Sequence, residues 1–218
     1  MTVQSSKIRN TSGPTTTYTP VPGESKVEVI LTISVTPKED LTNENTVYYN
    51  ELFNETFTVL TSYYSSSATT TDNFIKVVVY RISKGSLVVN HAVILNSTST
   101  TGQNQVAAAT NKLVNGGAML TFGAGLTSPA AAGATSAAIH TAGGVKATVT
   151  TSTTICDTFN TLNTCPTNQE CSVNGNGVPY CATRPAPGRF FTGAILVDSI
   201  AGIALLIVHS MVTGMMGL

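Results

Sequence analysis

The spacing of hydrophobic residues changes along the chain, and this constrains the fold more than any other feature. Residues 26–36 (KVEVILTISVT) alternate, with β-branched and aliphatic side chains on one face, which predicts a strand that ends at Pro37. Residues 43–64 then repeat at steps of three and four, which predicts one face of a helix of about five turns. That face consists of Tyr49, Leu52, Phe53, Thr56, Leu60 and Tyr63.

Two further strands lie close together and predict a hairpin. Residues 74–80 (FIKVVVY) and 87–95 (LVVNHAVIL) are rich in β-branched residues and flank a turn at Ser83-Lys84-Gly85. Residues 103–114 predict a second helix, because Asn115-Gly116-Gly117 supplies a typical stop signal.

The last part of this region predicts an insert and one more strand. Residues 116–144 are rich in Gly, Ala, Ser and Thr and almost uncharged, and their apolar residues are mostly alanine, so we expect a flexible loop. Residues 145–151 (VKATVTT) predict a fourth strand. The order of elements over residues 25–152 therefore predicts an α+β fold, in which helices cover one face of an antiparallel four-stranded sheet.

Charge and composition exclude one class of partner and favour another setting. Only 10% of the residues are charged and the net charge is zero, so the chain lacks the basic surface that nucleic acid requires. Residues 1–24 combine Ser, Thr, Pro and Gly without periodicity, as in an extended, O-glycosylated stalk. They include no apolar signal-peptide core, so we expect that the sequence is a fragment or has a mis-assigned start; a cytosolic protein is the alternative.

All four cysteines lie within 26 residues, from Cys156 to Cys181. An even, clustered set in a Thr-rich chain predicts disulfides and an oxidising compartment. Zinc is the alternative, but the eight, five and nine intervening residues do not fit the close pairs of zinc sites. Three N-x-S/T sequons, at Asn10, Asn54 and Asn96, also favour a secretory route. We expect no metal site and no cofactor.

The element order and the local sequence resemble the SEA module of membrane mucins. NENTVYYNELF resembles the start of that family's first helix, with Thr46 in the place of a serine, and GSLVV (residues 85–89) resembles its cleavage sequence. The resemblance implies self-cleavage, in which the Ser86 hydroxyl attacks the Gly85 carbonyl and the two pieces stay associated. A plain hairpin turn is the alternative, since Gly and Ser are common in turns and Leu87 replaces the usual valine. A catalytic role for His91 is the weaker interpretation.

The cysteine spacing resembles the first four cysteines of an EGF-like module over residues 153–183. This resemblance implies the pairs Cys156–Cys171 and Cys165–Cys181; the sequence alone allows three pairings. A hairpin turn is expected at residues 174–177 (NGNG). The chain lacks the module's last two cysteines, so we expect a rigid spacer rather than a receptor ligand.

The C-terminal residues 190–218 are long and apolar enough to span a bilayer, which takes roughly 20 residues. A single-pass helix is our prediction, and a GPI-attachment signal or a buried helix are the alternatives. Asp198 and His209 are eleven residues apart and would share a helix face. We expect them near the interface or against another helix, because nothing else in the chain indicates transport.

These observations predict a structural cell-surface glycoprotein of the mucin type rather than an enzyme, with autoproteolysis as a single event. Its predicted partner is the membrane, and glycans or extracellular matrix are further candidates. The alternatives are a shed matrix component and an adhesion protein that binds through the EGF-like module. A hydrolase built from Ser86 with His91 or His140 is disfavoured, because no nucleophile-elbow motif surrounds Ser86.

Overall fold

An antiparallel sheet covered on one face by two helices forms the centre of the chain. The computed structural model describes residues 18–84, 86–123, 126, 130–141, 144 and 146–184. The strands are β1 (Ser25–Ile33), β2 (Phe74–Ser83), β3 (Leu87–Leu95), β4 (Leu120–Phe122), β5 (Ala130–Ala132), β6 (Ala134–His140), β7 (Lys146–Thr150), β8 (Gln169–Val173) and β9 (Pro179–Thr183). The helices are α1 (Val47–Ser66), α2 (Ser99–Val114) and α3 (Ile155–Leu162).

The main sheet has five strands in the order β2-β3-β1-β6-β7, with every neighbour antiparallel. β1 alternates as its sequence predicts, because Val27, Val29, Leu31 and Ile33 are fully buried on the helix-covered face. Its other face carries polar groups, including the ion pair between Lys26 and Glu28 at 3.0 Å. The α+β class with an antiparallel sheet is confirmed.

Helix α1 begins where the Thr46 side chain accepts a hydrogen bond of 3.0 Å from the backbone N–H of Tyr49. Its buried face contains Tyr49, Leu52, Thr56 and Leu60, as the spacing predicts. Two members differ from the prediction, since Phe53 and Tyr63 are only partly buried, and Tyr64 is fully buried instead of Tyr63. A step of four from Leu60 keeps Tyr64 on the buried stripe.

Helix α2 packs closely on the sheet near the start of β1. Gly102 lies against Ser25, so an added Cβ would overlap the Ser25 hydroxyl and lie 3.0 Å from its Cβ. Three successive alanines, residues 107–109, are also buried on this helix. Small side chains therefore allow the helix backbone to approach the strands.

The predicted flexible insert at residues 116–144 is wrong, and so is the sheet of four strands. Residues 120–122 and 130–132 pair as a short hairpin, and β6 pairs directly with β1. Ala134, Ala137 and Ile139 of β6 are buried under the helices. Small side chains can fill the space between β6 and α2, because α2 is itself rich in alanine and its backbone approaches the strand closely.

The cysteine-containing segment packs on the same unit as the sheet. The side-chain amides of Asn111 and Asn115 on α2 donate to the Thr153 carbonyl at 3.0 and 3.2 Å. The Asn163 amide donates to the Asn104 side chain at 2.9 Å. Helix α3 is thus held against α2 at both of its ends.

Both termini of the predicted organisation extend past the described residues. The end of the predicted stalk turns back on the sheet, because the Tyr18 hydroxyl donates to Glu24 at 2.6 Å and the Lys76 ammonium lies 4.1 Å from the Tyr18 ring centre. None of the helices that the structure describes is long and apolar enough to cross a bilayer. The predicted membrane segment, residues 190–218 with Asp198 and His209, and the sequon at Asn10 lie outside the described part.

Candidate functional site

The turn between β2 and β3 contains an unusual backbone conformation at Ser86. Its φ of +56° lies in the left-handed region, and no other non-glycine residue in the described part of the chain has a positive φ. That conformation costs a residue with a Cβ about 1–2 kcal/mol. Gly85, the other residue of the predicted cleavage bond, lies outside the described residues.

The strands on both sides of this turn are firmly anchored. The ladder pairs Ser83 with Val88, and the side chains of Ile82, Leu87 and Val89 are fully buried. Ser86 itself is exposed. The short turn must therefore join two strands whose positions the core has already fixed, which can hold Ser86 in its left-handed conformation.

A small pocket borders Ser86. It has a volume of about 180 Å³ and is lined by Thr36, Pro37, Glu39, Lys84 and Ser86. The connection from β1 to α1 supplies three of these residues, so this segment faces the turn across the pocket. Lys84 makes an ion pair of 3.8 Å with Asp40 in the same connection. Water has access to the Ser86 side chain here, because the residue is exposed.

His91 and His140 do not form a hydrolase site with Ser86. His91 lies five residues further along β3, which corresponds to about 16 Å of strand. Its Nε2 is 3.3 Å from the Tyr64 hydroxyl, and burial lowers the pKa of His91 to about 4. His140 is paired with Glu28, whereas Leu87 is paired with Ile33 at the opposite end of β1. Neither imidazole can therefore take the proton of the Ser86 hydroxyl.

The cysteines form two disulfides, Cys156–Cys171 and Cys165–Cys181, which are the pairs that the EGF-like resemblance implies. Cys171 and Cys181 are direct neighbours across the β8–β9 hairpin, but each is bonded elsewhere. The two bridges thus connect the hairpin to α3 and to the loop after it. The hairpin turns at the predicted NGNG sequence, where Gly177 has a φ of +81° that favours glycine.

Two of the three sequons lie in the described region, and both asparagines are exposed. Asn54 is on the outer side of α1, while the Thr56 of its sequon is fully buried. Asn96 lies between β3 and α2. Both positions leave room for a glycan, whose attachment stays a prediction.

Sequence reasoning missed the contacts that hold β2 before the turn. Tyr49 on α1 accepts a hydrogen bond of 3.3 Å from the backbone N–H of Ile82. Arg81 pairs with Glu44 at 3.1 Å. No pattern in the sequence signals these links, because they join segments more than thirty residues apart.

A match to one known family model agrees with this fold. Residues 26–117 match the family model described as "SEA domain", from β1 to just past the end of α2. Neither the curated proteins nor the solved structures give a significant match. The match, with the α+β architecture and the two disulfides, supports a SEA-domain protein of an extracellular or membrane-associated kind.

Proposed function

We propose that this chain is the membrane-proximal part of a mucin-like surface glycoprotein whose SEA domain cuts itself once, between Gly85 and Ser86. The observation that carries the proposal is the left-handed conformation of Ser86 at the turn of an anchored hairpin. The sequence GSLVV at that turn supplies the nucleophile and a preceding glycine.

The reaction needs no residue beyond the two that flank the bond and one water molecule. The Ser86 hydroxyl oxygen attacks the Gly85 carbonyl carbon, the C–N bond breaks, and the hydroxyl proton goes to the departing nitrogen. This leaves an ester between the Gly85 acyl group and the Ser86 oxygen. Water then hydrolyses the ester, which gives a Gly85 carboxylate and restores the Ser86 hydroxyl next to a free amine.

A serine hydroxyl without a base is a weak nucleophile, so its attack has a high barrier. Strain in the backbone at Ser86 would lower part of that barrier. The left-handed conformation of Ser86 costs about 1–2 kcal/mol, and breaking the peptide bond releases this energy. If that energy is released in the transition state, the reaction accelerates by about 5- to 30-fold. Leu87 and Val89, one and three residues after Ser86, are fully buried, so the strain cannot relax by a shift of β3.

The remaining segments fit a surface glycoprotein. Residues 153–183 would be a rigid spacer of truncated EGF-like type, which the two disulfides and the contacts of α3 with α2 support. Residues 190–218 would anchor the chain as a single-pass helix, and residues 1–24 would begin the glycosylated stalk. The two pieces of the domain would stay together through their common core.

The first experiment is a denaturing gel of the chain expressed with a signal peptide and an N-terminal tag in a secretory cell. We expect two pieces that separate at Gly85–Ser86 in the wild type and one intact piece for Ser86→Ala. Ser86→Cys is the matched control, since it keeps a nucleophile, and it should still be cut. An intact wild-type chain, or cleavage that persists in Ser86→Ala, would overturn the proposal.

A further inference from the structure

The start of α1 and the segment before it hold residues 81–84, which are the end of β2 and the residue after it, by three side-chain links. Glu44 pairs with Arg81 at 3.1 Å, and Asp40 pairs with Lys84 at 3.8 Å. Between them, the Tyr49 hydroxyl accepts the hydrogen bond of 3.3 Å from the Ile82 N–H. All three links reach the four residues that precede Gly85.

The Tyr49 link differs from the two ion pairs in its burial. The charged side chains of both pairs are more than half exposed, so solvent and salt screen them and each contributes little. Tyr49 is 5% exposed and Ile82 is fully buried, so their hydrogen bond is shielded from water. Burial raises the pKa of the Tyr49 hydroxyl, so this bond is accepted by a neutral phenol.

Of the two anchored strands of the hairpin, β2 has a strand neighbour on one side only, whereas β3 lies between β2 and β1. β2 is at the edge of the sheet, and its ladder with β3 shifts register between Val79 and Arg81. A bulge of this kind bends the strand and breaks the regular pairing locally. Beyond this bulge, the Ile82 N–H donates to the Tyr49 hydroxyl of α1. The bond thus fixes where the strand resumes.

We propose that Tyr49 is a positioning residue for cleavage at Gly85–Ser86. By holding Ile82 against α1, it prevents the bulged end of β2 from relaxing and keeps Ser86 in its left-handed conformation. This inference rests on the proposed self-cleavage and assigns to it a residue on another element, 37 positions away from Ser86 in the chain.

The test is the cleavage rate of Tyr49→Phe, which removes only the hydroxyl, measured by pulse–chase of the tagged full chain in secretory cells. Ile139→Val is the matched control, since it makes a comparable loss in the core at β6, away from the hairpin. The stability of each variant is measured by pulse proteolysis in the uncleavable Ser86→Ala background. We expect Tyr49→Phe to slow cleavage about tenfold, and Ile139→Val to cut at nearly the wild-type rate.

The outcomes separate this inference from the self-cleavage itself. A wild-type rate in Tyr49→Phe overturns the role of Tyr49 while self-cleavage stands. Equal slowing in Tyr49→Phe and Ile139→Val at equal stability would also overturn the role of Tyr49, because general destabilisation would then explain the slower cleavage. A wild-type chain that stays intact overturns both proposals. Glu44→Gln should change the rate less than twofold, because its ion pair is exposed.

Discussion

Mild acid should destabilise the folded domain through His91. This side chain is fully buried on the helix-covered face of β3. Its Nε2 lies 3.3 Å from the Tyr64 hydroxyl of α1, and Tyr64 in turn lies 3.5 Å from the Thr110 hydroxyl of α2. The flanking strands place Val29 and Val79 beside it. Among these neighbours of His91 only Tyr64 is titratable, and none of the four side chains carries a charge.

The sign follows from the direction of the pKa shift. Burial lowers the pKa of His91 from 6.5 to about 4. Between these values the unfolded chain binds a proton that the folded chain does not, so stability falls as the pH falls. The full loss below pH 4 is about 3 kcal/mol, and between pH 7 and pH 5 it is about 2 kcal/mol. Well above pH 6.5 this histidine is neutral in both the folded and the unfolded chain, so it contributes no pH dependence there.

The assay is urea unfolding of the Ser86→Ala chain at pH 7 and pH 5, compared with the same chain carrying His91→Leu. The leucine variant starts from a different stability, so the change with pH is compared rather than the absolute value. We expect the histidine chain to lose about 2 kcal/mol more than the leucine chain over this interval. Equal losses in the two chains would refute the reasoning, because the acid sensitivity would then belong to other groups.

Three further predictions concern packing, disulfides and glycans. Gly102→Ala should destabilise the domain by about 1–3 kcal/mol, because the new Cβ would contact the Cβ of Ser25 even if the Ser25 hydroxyl rotates away. The measurement is Tm, which should fall; an unchanged Tm would contradict this packing. Replacing Cys165 and Cys181 together by serine should lower the free energy of unfolding by about 2–4 kcal/mol. It should also reduce the effect of a reducing agent on Tm, and an undiminished effect would argue against that bridge. Asn54→Gln and Asn96→Gln should each remove one glycosidase-sensitive gel shift, and a mobility identical to wild type would exclude that site.

The sequence was most informative where a pattern is local. The alternation in β1 and the spacing of three and four in α1 depend only on one buried face, so both elements could be placed from residues such as Val29 and Leu52. The cysteine pairs could be placed only by resemblance. The NGNG turn was visible because its glycines mark a tight connection.

The rest depended on partners that are distant in sequence. β6 was missed because alanine has little strand signal, and what buries Ala137 is an alanine-rich helix elsewhere in the chain. The docking of α3 relies on asparagine amides such as Asn111, whose pattern is not periodic. The left-handed φ of Ser86 could not be read from the sequence either, since no side-chain pattern signals it at the turn between two paired strands.

The strand order β2-β3-β1-β6-β7 has a consequence for a chain cut after Gly85. β1 and β2 would belong to one piece and β3, β6 and β7 to the other, so strands of the two pieces would interleave. The folded domain would become a heterodimer, and refolding a reaction of second order that depends on concentration. Separation would have to break three ladders, namely β2–β3, β3–β1 and β1–β6. Once a released piece had diffused from the cell surface, dilution alone would make its loss irreversible.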